Sequence, residues 1–267
     1  MHDITRSEFH NIHFHRDGDV LVVTIDRADS ELNAVNDQLH EELTRLFREL
    51  RQESLARAVL LTGKGKVFSA GGDFGWFPLL QQPGRLDPLR RDAKQLIWDL
   101  LDVEIPIVAA VNGHAMGLGA SIALLCDVIF VANTATIGDP HVRVGIVAGD
   151  GGVAIWPLAV GPALAKQFLL TGDPVSAAEA ERMGLVNKCV PAEHLLEEAM
   201  AFARRLAAGA PLAVRYTKLA VNKLLKDALN VAFDTSTALE IVTFQSHDHH
   251  EALAALRERR KPHFQGR

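Results

Sequence analysis

The sequence predicts an α/β fold with a helical C-terminal extension, and three observations carry that reading. Short β-branched runs alternate with segments of helical periodicity, as strands and helices do around a parallel sheet. Glycine-rich segments directly follow two of those runs, where the chain must turn tightly at a strand end. Beyond residue 205 the chain is rich in alanine and leucine with charges interleaved, which suits amphipathic helices better than a second sheet.

The elements follow in order. Val20 to Ile25 reads as the first strand. Leu39, Leu43, Leu46, Phe47 and Leu50 then share one helical face, with Asn36 or Asp37 able to cap the first turn and an end before Leu55. Ala58 to Thr62, Ile107 to Val111 and Val128 to Ala132 are further strands. Ala178 to Met183 is a short helix stopped by Gly184, and Ala192 to Ala208 is a longer one that runs into Gly209 and Pro211. Leu212 to Arg260 completes the tail. The expected division is a core over 1–205 and a helical oligomerisation region over 206–267.

The 267 residues, 48% hydrophobic and 23% charged, are enough to bury a sizeable core. The first twenty residues lack an apolar signal region, and the apolar stretch from Ala115 to Cys126 stops at Asp127, short of the ~20 residues of a membrane span. A soluble, cytoplasmic protein with no membrane partner is expected. Cys126 and Cys189 lie in apolar segments without CxxC spacing, so they read as buried free thiols. A net charge of -5 without basic runs argues against nucleic acid. His247, His249 and His250 beside Asp248 mimic a metal cluster, but adjacent helical residues face apart, so they read as a solvated face and no metal is expected.

The glycine segments run from Thr62 to Asp73 (TGKGKVFSAGGD) and from Val111 to Ser121 (VNGHAMGLGAS). Ile122 stands where a dinucleotide fingerprint has its third glycine, and neither segment is a GxxxxGK[ST] phosphate loop. Both suit the donation of a backbone N–H to a developing oxyanion, helped by the positive end of a helix starting near Leu118.

With ELNAVN (Glu31 to Asn36), VFSAGGD (Val67 to Asp73), PIVAAVNGHAMGLGASIALLCD (Pro106 to Asp127), TGDPVSAAEAERMGLVNKCVP (Thr171 to Pro191) and RERRKPHFQGR (Arg257 to Arg267) in this order, the chain resembles the crotonase (enoyl-CoA hydratase/isomerase) superfamily over nearly its whole length. The resemblance implies a spiral of repeated ββα turns with a C-terminal helical region, assembled as a homotrimer or dimer of trimers. It implies an acyl-CoA thioester whose carbonyl oxygen accepts from the amides of Gly72 and Leu118, with coenzyme A entering as part of the substrate and no separate cofactor. It also implies substrate contacts at Arg27, Asn33, Ala34, Ala70, Asp73 and Trp76. Leucine at 118, where the family usually has glycine, keeps the N–H donor.

The family's hydratases carry two glutamates, at positions held here by Ser121 and His141. Ordinary hydration by a glutamate pair is therefore doubtful. GDPHVRVGIVAGDGG (Gly138 to Gly152) instead resembles the segment of crotonase-type β-diketone hydrolases in which a histidine activates water and an aspartate orients it, here His141 and Asp150. Asp139, next to Pro140, reads as a turn former. Ser121 is open to three readings: a small helix residue, a partner of the reacting water, or a nucleophile activated by His141. Phe74, Trp76 and Phe77 suit either an acyl pocket or loop packing. Glu240 reads as an exposed carboxylate more readily than as a pocket group. Lys261 and Arg260 are further candidates for CoA phosphates.

The leading expectation is an acyl-CoA enzyme working through an enolate, with His141 as acid/base. The alternatives are a carbon–carbon hydrolase of 1,3-dicarbonyls using water activated by His141 and Asp150, and a non-catalytic binding protein of the same fold.

Overall fold

A computed structural model describes residues 2–267. The chain runs β1 (Ile12–Asp17), β2 (Val20–Ile25), α1 (Asp37–Leu50), β3 (Ala58–Gly63), β4 (Val67–Ser69), α2 (Phe77–Leu80), α3 (Leu86–Asp102), β5 (Ile107–Val111), β6 (His114–Met116) and α4 (Leu118–Leu124). It continues through β7 (Val128–Ala132), β8 (Thr136–Gly138), α5 (Gly152–Thr171), β9 (Val175–Ser176), α6 (Ala177–Arg182), β10 (Lys188–Val190), α7 (Leu195–Ala207), α8 (Pro211–Phe244) and α9 (His247–Glu258).

Two sheets result. The larger has the order β1-β2-β3-β5-β7-β10 and is parallel except for the β1/β2 hairpin, while the smaller has the order β4-β6-β8-β9. Each of the pairs β3/β4, β5/β6 and β7/β8 places one strand in each sheet before the chain returns, which is the repeated ββα turn. β3 and β5 are buried at every position, which is why they read as unbroken apolar runs rather than alternating ones. The Asn36 side chain accepts from Leu39 N–H at 3.0 Å and caps α1, an interaction contributing about 1 kcal/mol.

The structure adds what periodicity had not marked. β1, α3 and the whole second sheet lie outside the sequence reading: β1 alternates histidines with apolar residues, and three-residue strands have too little pattern to register. α7 runs through residue 205 and packs on β3, β5 and β7, and the tail turns away from the sheet with α8. α8 is anchored where Lys218 Nζ bonds Ile105 O at 3.0 Å and pairs with Asp127 at 2.7 Å, and where Asn222 donates to Leu101 O at 2.9 Å. α5 has the length and apolarity of a membrane span, but it is broken at Gly161 (φ 79°) between Pro157 and Pro162, and its first residue sits against buried Asp139.

Candidate active site

Parallel pairing in the small sheet assembles the site. Ser69 in β4 faces Ala115 in β6, and Met116 in β6 faces Gly138 in β8, so three loops leave the same edge side by side. The first carries Gly72, the second Leu118 and the third Asp139 and His141. A side chain at Gly71 (φ 78°) would meet Met116 O at 2.7 Å, so glycine is what lets the first two loops approach so closely.

The two predicted donors come together. Val35 N–H donates to Gly71 O at 2.7 Å and Val35 O accepts from Asp73 N–H at 2.9 Å, which turns the intervening Gly72 N–H the other way. Leu118 opens α4, so its N–H belongs to the first helical turn and has no intrahelical acceptor. Among the described residues neither amide has a backbone partner, and both residues line one cavity of about 70 Å³ with His141, Asp150 and Glu240. Gly117 (φ 51°) is required here too: a β-carbon would sit 3.3 Å from His141 Cε1, so the imidazole lies directly over the second donor loop.

His141 starts a 3-10 turn that ends at Val144 and is held between two carboxylates. Its Nδ1 contacts Asp139 Oδ1, and its Nε2 lies 3.4 Å from Asp150 Oδ2. Burial by itself would lower the ring's pKa, but Asp139 and Asp150 outweigh it and hold the pKa well above the ordinary histidine value. Burial would raise Asp150, and the charge of His141, Ser121 Oγ at 3.0 Å and the Gly152 N–H outweigh it and bring the carboxyl below its usual range. Both carboxylates also lie at the positive end of α5, whose N-terminal Gly152 has no room for a side chain against Asp139.

Three residues differ from their sequence reading. Asp139 is 2% exposed and touches the ring, so it orients His141 as well as turning the chain. Glu240 reaches the cavity from α8, and the missing side chain of Gly149 makes the space for it. Burial, opposed by His141 and reinforced by Asp150 and Asp139, pushes the Glu240 carboxyl up to about 8. α8 also fixes the neighbouring loop, since Thr237 Oγ1 donates to Gly149 O at 3.0 Å and Val147 N–H donates to Thr243 Oγ1 at 3.1 Å. His249 is fully buried rather than solvated: its Nδ1 bonds Val144 O at 2.7 Å and its ring packs edge-on to Phe77 and Phe244.

The remaining sequence candidates divide. Trp76 lines the cavity and donates its indole N–H to Asp37 at 2.8 Å, and Phe77 joins it there while Phe74 is exposed. Ser121 is buried and donates its hydroxyl to Asp150 Oδ1 at 3.0 Å. Arg27 is 8% exposed, with its guanidinium on Asp29, on Asp73 Oδ2 at 2.6 Å and on Ala34 O at 2.6 Å. Asn33 (φ 47°) is buried and its amide bonds Val67 O at 2.9 Å and Lys64 O at 3.1 Å, so it staples two loops. Ala70 donates to Leu32 O at 3.0 Å beside them. Arg260 pairs with Glu251 and Glu258, and Lys261 is exposed. Both cysteines are free, and burial raises their thiols, so neither is an activated nucleophile. Asp139, His141 and Asp150 have ligand atoms within 4.8 Å of one another, but the ring presents a nitrogen to each carboxylate and has no lone pair left for an ion when both are protonated.

A two-sheet ββα spiral thus sets two backbone amides without backbone partners and a cluster of titratable side chains around one cavity. Residues 15–267 match the enoyl-CoA hydratase/isomerase family, and the chain belongs to it. A probable enoyl-CoA hydratase of Mycobacterium tuberculosis is 36% identical over 249 residues, 93% of this chain and 95% of the relative. The crystal structure of an enoyl-CoA hydratase/isomerase from Mycobacterium paratuberculosis is similar with a TM-score of 0.87 and 38% identity, covering 91% of this chain and 97% of that one. A β-diketone hydrolase from the cyanobacterium Anabaena, bound to (S)-3-oxocyclohexyl acetic acid, is similar with a TM-score of 0.83 and 33% identity over 88% of this chain and 94% of that one.

Proposed function

We propose that this enzyme cleaves a carbon–carbon bond of a 1,3-dicarbonyl by adding water to one carbonyl and releasing the other as an enolate. The observation that carries the reading is the placement of His141, clasped by Asp139 and Asp150, directly over the Gly117 loop that offers the Leu118 N–H. Water gives its proton to the His141/Asp150 pair, which holds one proton fewer than it can accept, and the hydroxide adds to the carbonyl carbon. Collapse of the tetrahedral adduct breaks the carbon–carbon bond and yields a carboxylic acid and an enolate, whose oxygen accepts from Gly72 and Leu118 N–H. Glu240, held in its acid form, then protonates the enolate carbon and is reprotonated from the His141/Asp150 pair. Every atom of water ends in product, and no cofactor or metal is called on.

Ser121 and His141 in place of a glutamate pair leave ordinary hydration without its usual acid/base partners. Arg27 is held by Asp29 and Asp73, and Asn33 by the Val67 and Lys64 carbonyls, so neither is free to meet coenzyme A phosphates. The test is hydrolysis of 2,2-dimethylcyclohexane-1,3-dione, which cannot ionise between its carbonyls, measured beside hydration of crotonyl-CoA. Ring opening to the keto acid with crotonyl-CoA turnover at background is expected; the reverse pattern overturns the reading.

A second reading, an acyl-CoA thioester held through the same oxyanion donors with His141 as acid/base, is favoured by two observations. An open groove runs past Arg27, Asn33, Lys64 and Lys66, and the Mycobacterium tuberculosis relative named above is a probable enoyl-CoA hydratase. Under either reading we infer a homotrimer or dimer of trimers in the cytoplasm, without nucleic-acid or membrane partners. Val231 and Leu224 on α8 are 81% and 72% exposed, apolar surface that a second copy would cover. Solution scattering at micromolar concentration that gives a monomer overturns the assembly.

A further inference from the structure

His40, Trp76, Leu80 and Leu89 line both the cavity described above and a second recess bordered by Asp37, Glu41, Arg85 and Asp92, so these four side chains form a shared wall. His40 is the one ionisable member of that wall. It projects from α1, is 6% exposed, and stacks obliquely on Trp76 with ring centroids 5.6 Å apart. The Trp76 indole N–H is already given to Asp37. Neither nitrogen of His40 has a hydrogen-bond partner among the described residues, and burial keeps the ring neutral against the pull of Asp92, Asp37 and Asp150. A neutral imidazole carries one donor and one acceptor, and neither nitrogen is sealed off from the recesses that the ring lines, so both are open to a partner that enters there.

The cavity around it is otherwise apolar apart from the acid/base cluster: Val35, Phe77, Leu80, Ile146 and Phe244 offer no partner to the ring. A ligand can supply that partner. The recess beyond the wall carries Asp37, Glu41 and Asp92 against Arg85, and Arg85 is itself paired with Asp37. That field repels an anion.

We propose that His40 is a specificity-determining residue that hydrogen-bonds a neutral oxygen, a hydroxyl or a carbonyl, on a part of the substrate other than its reacting carbonyls. The inference rests on the cavity being the substrate site, and it names a feature of the substrate that the reaction itself does not require. A site built to bond an oxygen rejects the analogue that lacks it far more strongly than an apolar site separates near-isosteres.

The experiment uses two gem-dimethyl cyclohexane-1,3-diones, one with a propyl arm and the other with the isosteric hydroxyethyl arm. Their dissociation constants are measured by calorimetry in the full-length protein carrying His141→Ala, so that neither is consumed, with and without His40→Leu or His40→Gln. The hydroxyethyl compound is expected to bind about 10-fold tighter or more, with the preference lost in His40→Leu and partly kept in His40→Gln. Equal binding of the pair, an unchanged preference in His40→Leu, or no binding of either compound overturns the proposal. Discrimination without ring opening by the wild type sinks the hydrolase reading alone, and ring opening without discrimination sinks this one alone.

Discussion

The proposed oxyanion hole and the proposed acid/base cluster lie in one cavity yet are built on opposite principles. The hole is backbone: two amides fixed by strand pairing, by Val35 bridging Gly71 and Asp73, and by the first turn of α4. The cluster is side chain: Asp139 and His141 from the loop after β8, Asp150 before α5, Ser121 from α4 and Glu240 from the sequence-distant helix α8. A backbone donor tolerates a change of side chain, as leucine at 118 illustrates, because the N–H is common to both residues. A side-chain acid or base has no such tolerance.

Replacement of His141 is expected to have the largest effect. His141→Ala should lower kcat on the diketone by about 10³-fold with little change in KM, since the lost proton transfer belongs to the transition state. A variant retaining its rate in steady-state assays would leave only the hole intact as a functional unit. The reciprocal damage to the hole is harder to make cleanly: a β-carbon on Gly72 would stand 2.6 Å from Phe77 Cε1, so substitution there displaces the cavity wall as well as altering a donor.

Glu240→Gln comes next, with an expected loss of about 10²-fold in kcat. Its pH dependence sharpens the comparison. The acid form is needed and its pKa is pushed up to about 8, so the wild-type rate should hold below that pH and fall tenfold per unit above it. Asp150, held below the ordinary carboxyl range, should keep the base active to mildly acidic pH. A rate profile for the wild type with no alkaline limb near pH 8 would remove Glu240 from the reaction.

Asp139→Asn should cost roughly 30-fold, because the ring loses a carboxylate on Nδ1 and with it part of its orientation and its raised pKa. Titration of the ring by NMR should show the pKa falling; an unchanged value would assign Asp139 to turn formation alone. The smallest effect expected is that of Leu118→Gly, about 3-fold or less in kcat, since the donor amide survives. A loss comparable to that of His141→Ala would mean that the leucine side chain, rather than the backbone, shapes the second half of the hole.

The sequence by itself determined the parallel α/β core, and it marked the two glycine-rich turns and the His141 segment that the fold brings to one cavity. Strand runs and glycine turns are local signals, and the hole is made of backbone that those local segments carry with them. Its alternating histidines hid β1, and the short strands of the second sheet hid the edge from which all three loops leave. What only the tertiary structure decided is which side chains meet at that edge. Asp139 reads as a turn residue until β8 pairs with β6 and turns it under the ring, and Glu240 reads as surface until α8 docks through Lys218, Asn222 and Thr237. His249 is helical surface by spacing, and its burial follows from α9 folding back on the turn that carries His141. Ionisation follows the same division, because burial and neighbouring charge set a pKa, and both are supplied by residues distant in the chain.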